Sequence, residues 1–158
     1  MGRDVGVNWA VQKADFEPDG SLRDIYVLGT TTEDWSKVLE FVRTGPYQAQ
    51  LTCNESPISF PEDANDLFPK PSEPRAWRLL FQVGGVQLAC HFFTVDEMEF
   101  DFFPNTVGEA ELRAILEFMA DIGDLIGKMV VMTPENCQDI PIFRYEPDRR
   151  TMTWIPAT

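Results

Sequence analysis

Residues 77–93, WRLLFQVGGVQLACHFF, determine how the rest of the chain is arranged. Two runs of alternating apolar residues flank Gly84-Gly85, a two-residue β-hairpin turn in which both residues take positive φ. The turn places apolar cross-strand partners on one face: Val83 with Val86, Phe81 with Leu88, Leu79 with Cys90, and Trp77 with Phe92. Arg78 pairs with His91 on the other face. The sequence therefore predicts a hairpin with one core face and one more polar face.

The chain then continues into residues 91–104, HFFTVDEMEFDFFP, in which acidic and apolar residues alternate. Alternation with a period of two is typical of a half-buried strand. One face carries Glu97, Glu99 and Asp101, and the other carries Met98, Phe100 and Phe102. We predict the third strand of a meander, with the apolar side chains turned inward and the acids turned outward. Three functions remain open for the acids: a carboxylate cluster that does chemistry, a docking face, or an ordinary solvated face.

Upstream of the hairpin, alternating apolar residues at 4–12 and the run at 24–28 predict two opening strands joined by an Asp-Gly turn. A helix follows, capped by Thr31 or Thr32 and ended by Gly45. Residues 47–53 alternate again and predict another strand.

Downstream of the meander, residues 104–128 predict the main helix. Thr106 and Glu109 form a capping box at its start, and Gly127 ends it. Short closing strands are predicted at 129–132, 142–146 and 151–156. The fold class is therefore α+β: residues 1–158 form a single domain, with a mainly antiparallel sheet and two helices packed on one face.

Residues 54–74 differ from this alternating sequence, because they contain five prolines and several acidic residues around a few large apolar ones. They predict a long loop pinned by Ile58, Phe60, Leu67 and Phe68. Loops of this length are uncommon as plain connectors. A functional loop and a flexible insertion both remain open.

The charge is strongly negative: 26 Asp and Glu against 13 Lys and Arg give a formal net charge of −13. A surface of this sign repels phosphate, which argues against binding to nucleic acid or to an anionic membrane. The excess is concentrated, since residues 96–124 contain nine acids and one base. This concentration favours a basic protein partner, although solubility alone also explains acidic composition.

Sequence motifs for chemistry are absent. Cys53, Cys90 and Cys137 are far apart, His91 is the single histidine, and no zinc, EF-hand, phosphate-loop or hydrolase motif occurs. We therefore expect no catalytic residues, no metal and no cofactor, and His91 is interpreted as structural or as a surface residue beside Arg78. A binding protein becomes the leading class.

The predicted docking residues form two rows. One row lies on the third strand of the meander, and the other lies on the outer face of the main helix. Their members are Glu97, Glu99, Asp101 and Phe103 on the strand, and Glu117, Asp121 and Asp124 on the helix. Rows of charged side chains steer a partner toward the surface and fix how it is aligned there. Apolar residues nearby supply the affinity.

Segments such as IYVLGTTTEDWSKVLEFV (25–42), HFFTVDEMEFDF (91–102) and IGKMVVMTPEN (126–136) give the chain a style that resembles small immunity proteins of bacterial polymorphic-toxin and contact-dependent inhibition systems. The resemblance implies a protein that binds a cognate toxin domain, often a basic nuclease, and blocks it. A location in the cytoplasm is expected, because residues 1–10 contain no secretory signal.

Two alternatives stay open. The first is an acidic type III secretion chaperone, a class that usually begins with a helix and works as a dimer. The second is a small hydrolase that uses the carboxylates at 62–66. The sequence leaves the oligomeric state open.

Overall fold

The computed structural model describes residues 5–68 and 77–156 of the chain. The strands of these residues form one nine-stranded sheet in the order β3-β2-β4-β5-β6-β1-β7-β8-β9. All of its paired strands are antiparallel. Two long helices pack on one face of the sheet, which confirms the predicted α+β class.

The strands are β1 Arg23–Leu28, β2 Gln50–Cys53, β3 Ser56–Ile58, β4 Trp77–Val83, β5 Val86–Thr94, β6 Glu97–Phe102, β7 Val130–Pro134, β8 Phe143–Glu146 and β9 Thr151–Trp154. The α-helices are α1 Trp9–Gln12, α2 Thr32–Thr44 and α3 Glu109–Ile126, and short 3-10 helices occupy Lys13–Phe16, Ala64–Leu67 and Pro104–Thr106.

The predicted meander of β4, β5 and β6 is confirmed, and so is the register of its β4–β5 hairpin. The hairpin pairs Val83 with Val86, Phe81 with Leu88, and Arg78 with His91. The apolar side of β6 faces the main helix, since the rings of Phe100 and Phe118 lie 5.7 Å apart in an edge-to-face contact. The two-residue turn at Gly84-Gly85 sets the register of the hairpin. The register determines which face of each strand points into the core.

Substitution of the turn glycines tests this arrangement. Gly84→Ala is expected to lower the free energy of unfolding by about 3 kcal/mol and Gly85→Ala by about 1 kcal/mol, because both residues have positive φ, which costs about 1 kcal/mol for a residue with a Cβ. Only at Gly84 would the new Cβ also clash, since it would lie 2.4 Å from Cβ of Ala114 on α3. Urea unfolding of both variants measures the difference. Equal losses would show that helix and turn do not meet as described.

The helix caps agree with the prediction at α2 and differ at α3. Thr31 forms a capping box with Asp34. At α3 the predicted Thr106–Glu109 box is wrong, because Pro104 starts a 3-10 turn that delays the helix. The helix is capped instead by Gly108 and Glu111, whose Oε1 accepts the Gly108 backbone N–H at 2.9 Å. Gly127 ends α3 in the left-handed conformation, as predicted.

The predicted first strand is wrong, because residues 9–16 are helical. Gln12 is buried, and its side chain accepts from the Asn8 N–H and donates to the Gly6 carbonyl, which closes the local turn. Val11, expected inside a strand, is 52% exposed instead. Tertiary contact overrides the period-two alternation: Trp9 stacks on Phe16 at 6.1 Å, and Phe16 stacks on Phe143 of β8.

The predicted long loop at 54–74 contains the short edge strand β3 and a 3-10 turn, and residues 69–74 lie outside the described residues. The expected apolar contacts are present near its end. Leu67 is buried, and Phe68 packs against Trp35 at 5.1 Å and Phe92 at 6.0 Å. The segment therefore covers one end of the core.

One residue connects both long helices to the sheet. The ring of Phe118 on α3 lies 6.5 Å from Phe41 of α2 and 5.3 Å from Phe81 of β4. Tyr47 is 5.6 Å away. None of the helices in residues 5–68 and 77–156 has the length and apolarity required to span a membrane.

Candidate functional site

The site lies on the side of the sheet opposite α2 and α3, here called the helix-free face. Its central residues come from three adjacent strands: His91 and Phe93 of β5, Glu97, Glu99 and Asp101 of β6, and Asp24, Tyr26 and Leu28 of β1. Strand geometry places them here, because their neighbours in sequence point into the core. One exposed sheet face is usual for antiparallel sheets.

The register brings acids together across strands. Asp101 of β6 lies directly opposite Asp24 of β1, and Glu99 lies opposite Tyr26. On the other side of β6, His91 of β5 is the partner of Glu99. Like charges directly opposite each other are destabilising unless other groups compensate for them.

Hydrogen bonds provide part of that compensation. Nε2 of His91 lies 2.7 Å from Oδ2 of Asp101, and the buried hydroxyl of Tyr26 donates to Oδ2 of Asp24 at 2.9 Å. His91 also stacks on Phe93, with ring centroids 5.2 Å apart and 9° between the planes. Phe93 itself is 63% exposed. The result is a carboxylate cluster bordered by an exposed aromatic ring.

The 135–142 segment between β7 and β8 is held against this face by carboxylates. Oδ2 of Asp24 accepts from the Asn136 N–H at 2.7 Å, and Glu97 accepts from the Gln138 side chain. The segment also supplies a carboxylate of its own, since Glu135 accepts from the Leu22 N–H at 2.6 Å. The segment thus covers part of β1 and leaves β5 and most of β6 uncovered.

Burial changes the acidity of the cluster. Desolvation raises the pKa of Asp24, and the hydrogen bonds from Asn136 and Tyr26 only partly oppose it. Desolvation also raises the pKa of Glu99, with a further contribution from the charge of Asp24. Burial, together with the hydrogen bond to Asp24, raises the pKa of Tyr26. Asp24 and Glu99 therefore hold their protons more tightly than exposed carboxylates do.

Neutralising Glu99 is expected to stabilise the fold. Glu99→Gln should raise the free energy of unfolding by about 0.5 kcal/mol near pH 7, the scale of a like-charge pair on a sheet. Because the pKa of Glu99 is raised in the folded state, the cost of its charge is present above that pKa and vanishes as pH falls through it. The gain should therefore shrink toward about pH 4.

Urea unfolding at the two pH values measures this gain, with the exposed Glu62→Gln as the matched control. A gain that is unchanged by pH would contradict the assigned cause.

The predicted docking residues divide between two surfaces. Glu97, Glu99, Asp101 and the 59%-exposed Phe103 lie on or beside the helix-free face. The α3 residues lie on the opposite side of the molecule, because α3 packs on the other face of the sheet. A single flat contact therefore cannot include both rows.

The exposure of the acids also differs from the prediction. The β6 carboxylates are half-buried rather than fully exposed, and Asp101 keeps only 16% of its side-chain surface. On α3, Asp124 accepts from the Tyr145 hydroxyl at 2.6 Å and lies 3.5 Å from Arg150. Neighbouring strands and the 135–142 segment, which periodicity does not reveal, cause the difference.

Sequence reasoning missed Asp24, Tyr26 and the 135–142 segment. The available signal was the alternation in DIYVL, which puts Asp24, Tyr26 and Leu28 on one face. Within residues 5–68 and 77–156, no group of three or more His, Cys, Asp or Glu side chains is arranged to hold a metal ion. The carboxylates and the exposed ring of Phe93 beside them offer electrostatic and apolar recognition.

No protein-family model, curated protein or solved structure matches this chain.

Proposed function

We propose that the chain is an immunity protein that binds and neutralises a cognate bacterial toxin domain in the cytoplasm. The partner presents a basic surface, and the contact uses the uncovered part of the helix-free face. The observation that carries the proposal is the combination on β5, β6 and β1: a carboxylate cluster stands directly beside large apolar side chains that are exposed.

The apolar component comes from Phe93, Phe103 and Leu28, which are 63%, 59% and 54% exposed. Exposed aromatic and aliphatic side chains beside polar groups are typical of interaction surfaces. Such residues act as anchors that supply most of the affinity in protein interfaces. On this face they flank the carboxylates of β6, so a partner can bury the rings while it pairs its cations with the acids.

The electrostatic component favours a basic partner. The net charge of −13 attracts a cationic protein over distances of about a Debye length and raises its association rate. Half-buried carboxylates are screened less than exposed ones, so pairing with Lys or Arg is stronger there. A nuclease groove that binds phosphate carries this complementary charge, and the acids of β6 can occupy it in place of nucleic acid.

The chaperone alternative needs a new discriminator. Two opening strands argued against it, but residues 9–16 are helical. The oligomeric state separates the two functions, because a chaperone of that class works as a dimer. Sedimentation of the purified chain measures it directly.

The proposal is tested by co-expression with the toxin-domain protein encoded beside this chain's gene. Growth should be restored when the chain is expressed at a level equal to or above that of the toxin, and the two purified proteins should form a complex whose affinity falls with added salt. Toxicity that persists at full expression of the folded chain would overturn the proposal. Paired substitutions on the helix-free face and on α3 test which of the two surfaces binds the toxin.

A further inference from the structure

A cavity of about 330 Å³ lies where the 135–142 segment crosses the helix-free face. Its floor is one cross-strand row, since Val131 of β7 is the partner of Tyr26 on β1 and of Arg144 on β8. The volume is within the range of small-molecule sites. The walls combine the apolar side chains of Leu28, Met129 and Pro141 with the polar ones of Gln138, Asp139 and Lys128.

The guanidinium of Arg144 is the distinctive polar group of this cavity. Its Nε is buried without a hydrogen bond to any described residue. Oε1 of Glu146 lies 3.4 Å away, which is ion-pair distance without the direction that a hydrogen bond requires. The side chain keeps 37% of its surface. Buried donors are almost always paired in folded proteins, so an unpaired one beside a cavity indicates a missing acceptor.

A second cation borders the cavity in a fixed position. Lys128 donates to Oδ2 of Asp34, which is itself 9% exposed. Burial alone would raise the pKa of Asp34, yet the hydrogen bonds from Lys128 and Thr31 hold it below its ordinary value. The pair is therefore ionised, and the ammonium is anchored rather than free to leave the site.

The apolar part of the lining is exposed to solvent. Leu28 and Met129 are 54% and 49% exposed at the edge of the cavity. A ligand that covers them would remove this apolar surface from water, which is favourable by about 25 cal/mol per Å² in small-molecule transfer. The cavity thus offers an apolar wall next to a planar cation whose Nε forms no hydrogen bond to the described residues.

We propose that this cavity binds a small organic monocarboxylate with a compact apolar body. The carboxylate pairs with the guanidinium of Arg144, whose planar fork matches its two oxygens. The apolar body lies against Val131, Leu28 and Met129. This inference does not depend on the proposed toxin partner, because it concerns the chain alone.

The surrounding charges select a single negative charge. Asp139 lines the cavity and Glu146 lies beside Arg144, so a phosphate monoester or dicarboxylate would meet repulsion that one carboxylate avoids. The overall charge of −13 also disfavours a ligand that carries more than one negative charge. A neutral amide isostere would accept through its carbonyl oxygen only and would not form the charge-assisted pair with Arg144.

Titration of the full chain with 3-phenylpropanoate, followed by amide chemical shifts, tests the proposal. We expect saturable binding with a Kd of about 1 mM or tighter, and the largest shifts at Val131 and Arg144. 3-Phenylpropanamide should bind at least ~10-fold more weakly, because it cannot form the charge-assisted pair.

Three variants complete the design. Arg144→Gln should weaken carboxylate binding at least ~10-fold, and Val131→Phe should abolish it by filling the cavity. The matched Arg113→Gln on α3 should have no effect. Val131→Phe leaves every charged residue in place. It therefore still tests the cavity if Arg144→Gln does not fold.

The proposal is overturned by any of three results. These are an absence of saturation up to roughly 10 mM, well above the affinity expected of a fragment, equal affinity for the amide, or tighter binding of phenyl phosphate than of the carboxylate.

Discussion

A chain carrying Phe93→Ala and Glu97→Lys is expected to lose at least ~100-fold of its affinity for the toxin partner. Phe93 is 63% exposed and contacts mainly the ring of His91, so its removal takes away an anchor rather than a core residue. Truncation of such an anchor costs about 2 kcal/mol. Reversal of the charge at Glu97 places a cation opposite the basic surface, which costs a comparable amount.

The matched control is Glu117→Lys with Leu125→Ala on α3, which also reverses one acid and truncates one exposed apolar side chain. It should retain affinity within ~3-fold, because it lies on the opposite side of the sheet. Titration calorimetry measures both pairs, and thermal unfolding confirms that both are folded. A large loss in the α3 pair alone would move the interface to α3, and no loss in either pair would contradict both predicted rows.

Phe118→Ala is expected to lower the free energy of unfolding by about 4 kcal/mol, the middle of the range for buried aromatic residues. Phe118 is 1% exposed and contacts rings from α2, from β4 and β6, and from Tyr47. Its removal therefore opens a cavity where both helices meet the sheet, and rigid neighbours on several sides limit collapse into the space. Domains are stable by only about 5–15 kcal/mol, so this variant approaches the limit of folding.

Urea unfolding gives the measurement, with Leu125→Ala as a control on the same helix. Leu125 is 39% exposed, and its truncation should cost about 0.5 kcal/mol or less. Phe118→Leu should fall between the two, since it retains most of the buried volume. A loss below about 1 kcal/mol for Phe118→Ala would show that the core does not depend on this contact.

The fold class was predictable because its signals are local. The Gly84-Gly85 turn fixes register within a few residues, and alternation in β6 assigns Met98 and Phe100 to the core. Periodicity locates α2 and α3 for the same reason, and capping locates the start of α2. The error at residues 9–16 arose where the same alternation of apolar residues fits a short helix, and packing of Trp9 on Phe16 decides between the two.

The candidate site was predictable only in part. Alternation correctly placed Glu97, Glu99 and Asp101 together on one face. It could not show that Asp24 lies opposite Asp101, because the two residues are far apart in the sequence and only the pairing of β1 with β6 brings them together. The sequence analysis also assigned the acids of β6 and those of α3 to the same docking role, although the sheet lies between them.

By itself, the sequence determined the negative charge, the meander with the register of its β4–β5 hairpin, and the outward direction of the β6 acids, since composition and neighbours along the chain decide each of these. The tertiary structure decided that the β6 acids are half-buried and coupled to Asp24 and Tyr26. It also decided that the 135–142 segment encloses a cavity over Arg144. Contacts between residues far apart in the sequence, such as Asp24 with Asp101 and Asp24 with Asn136, decide these features, and no local periodicity encodes them.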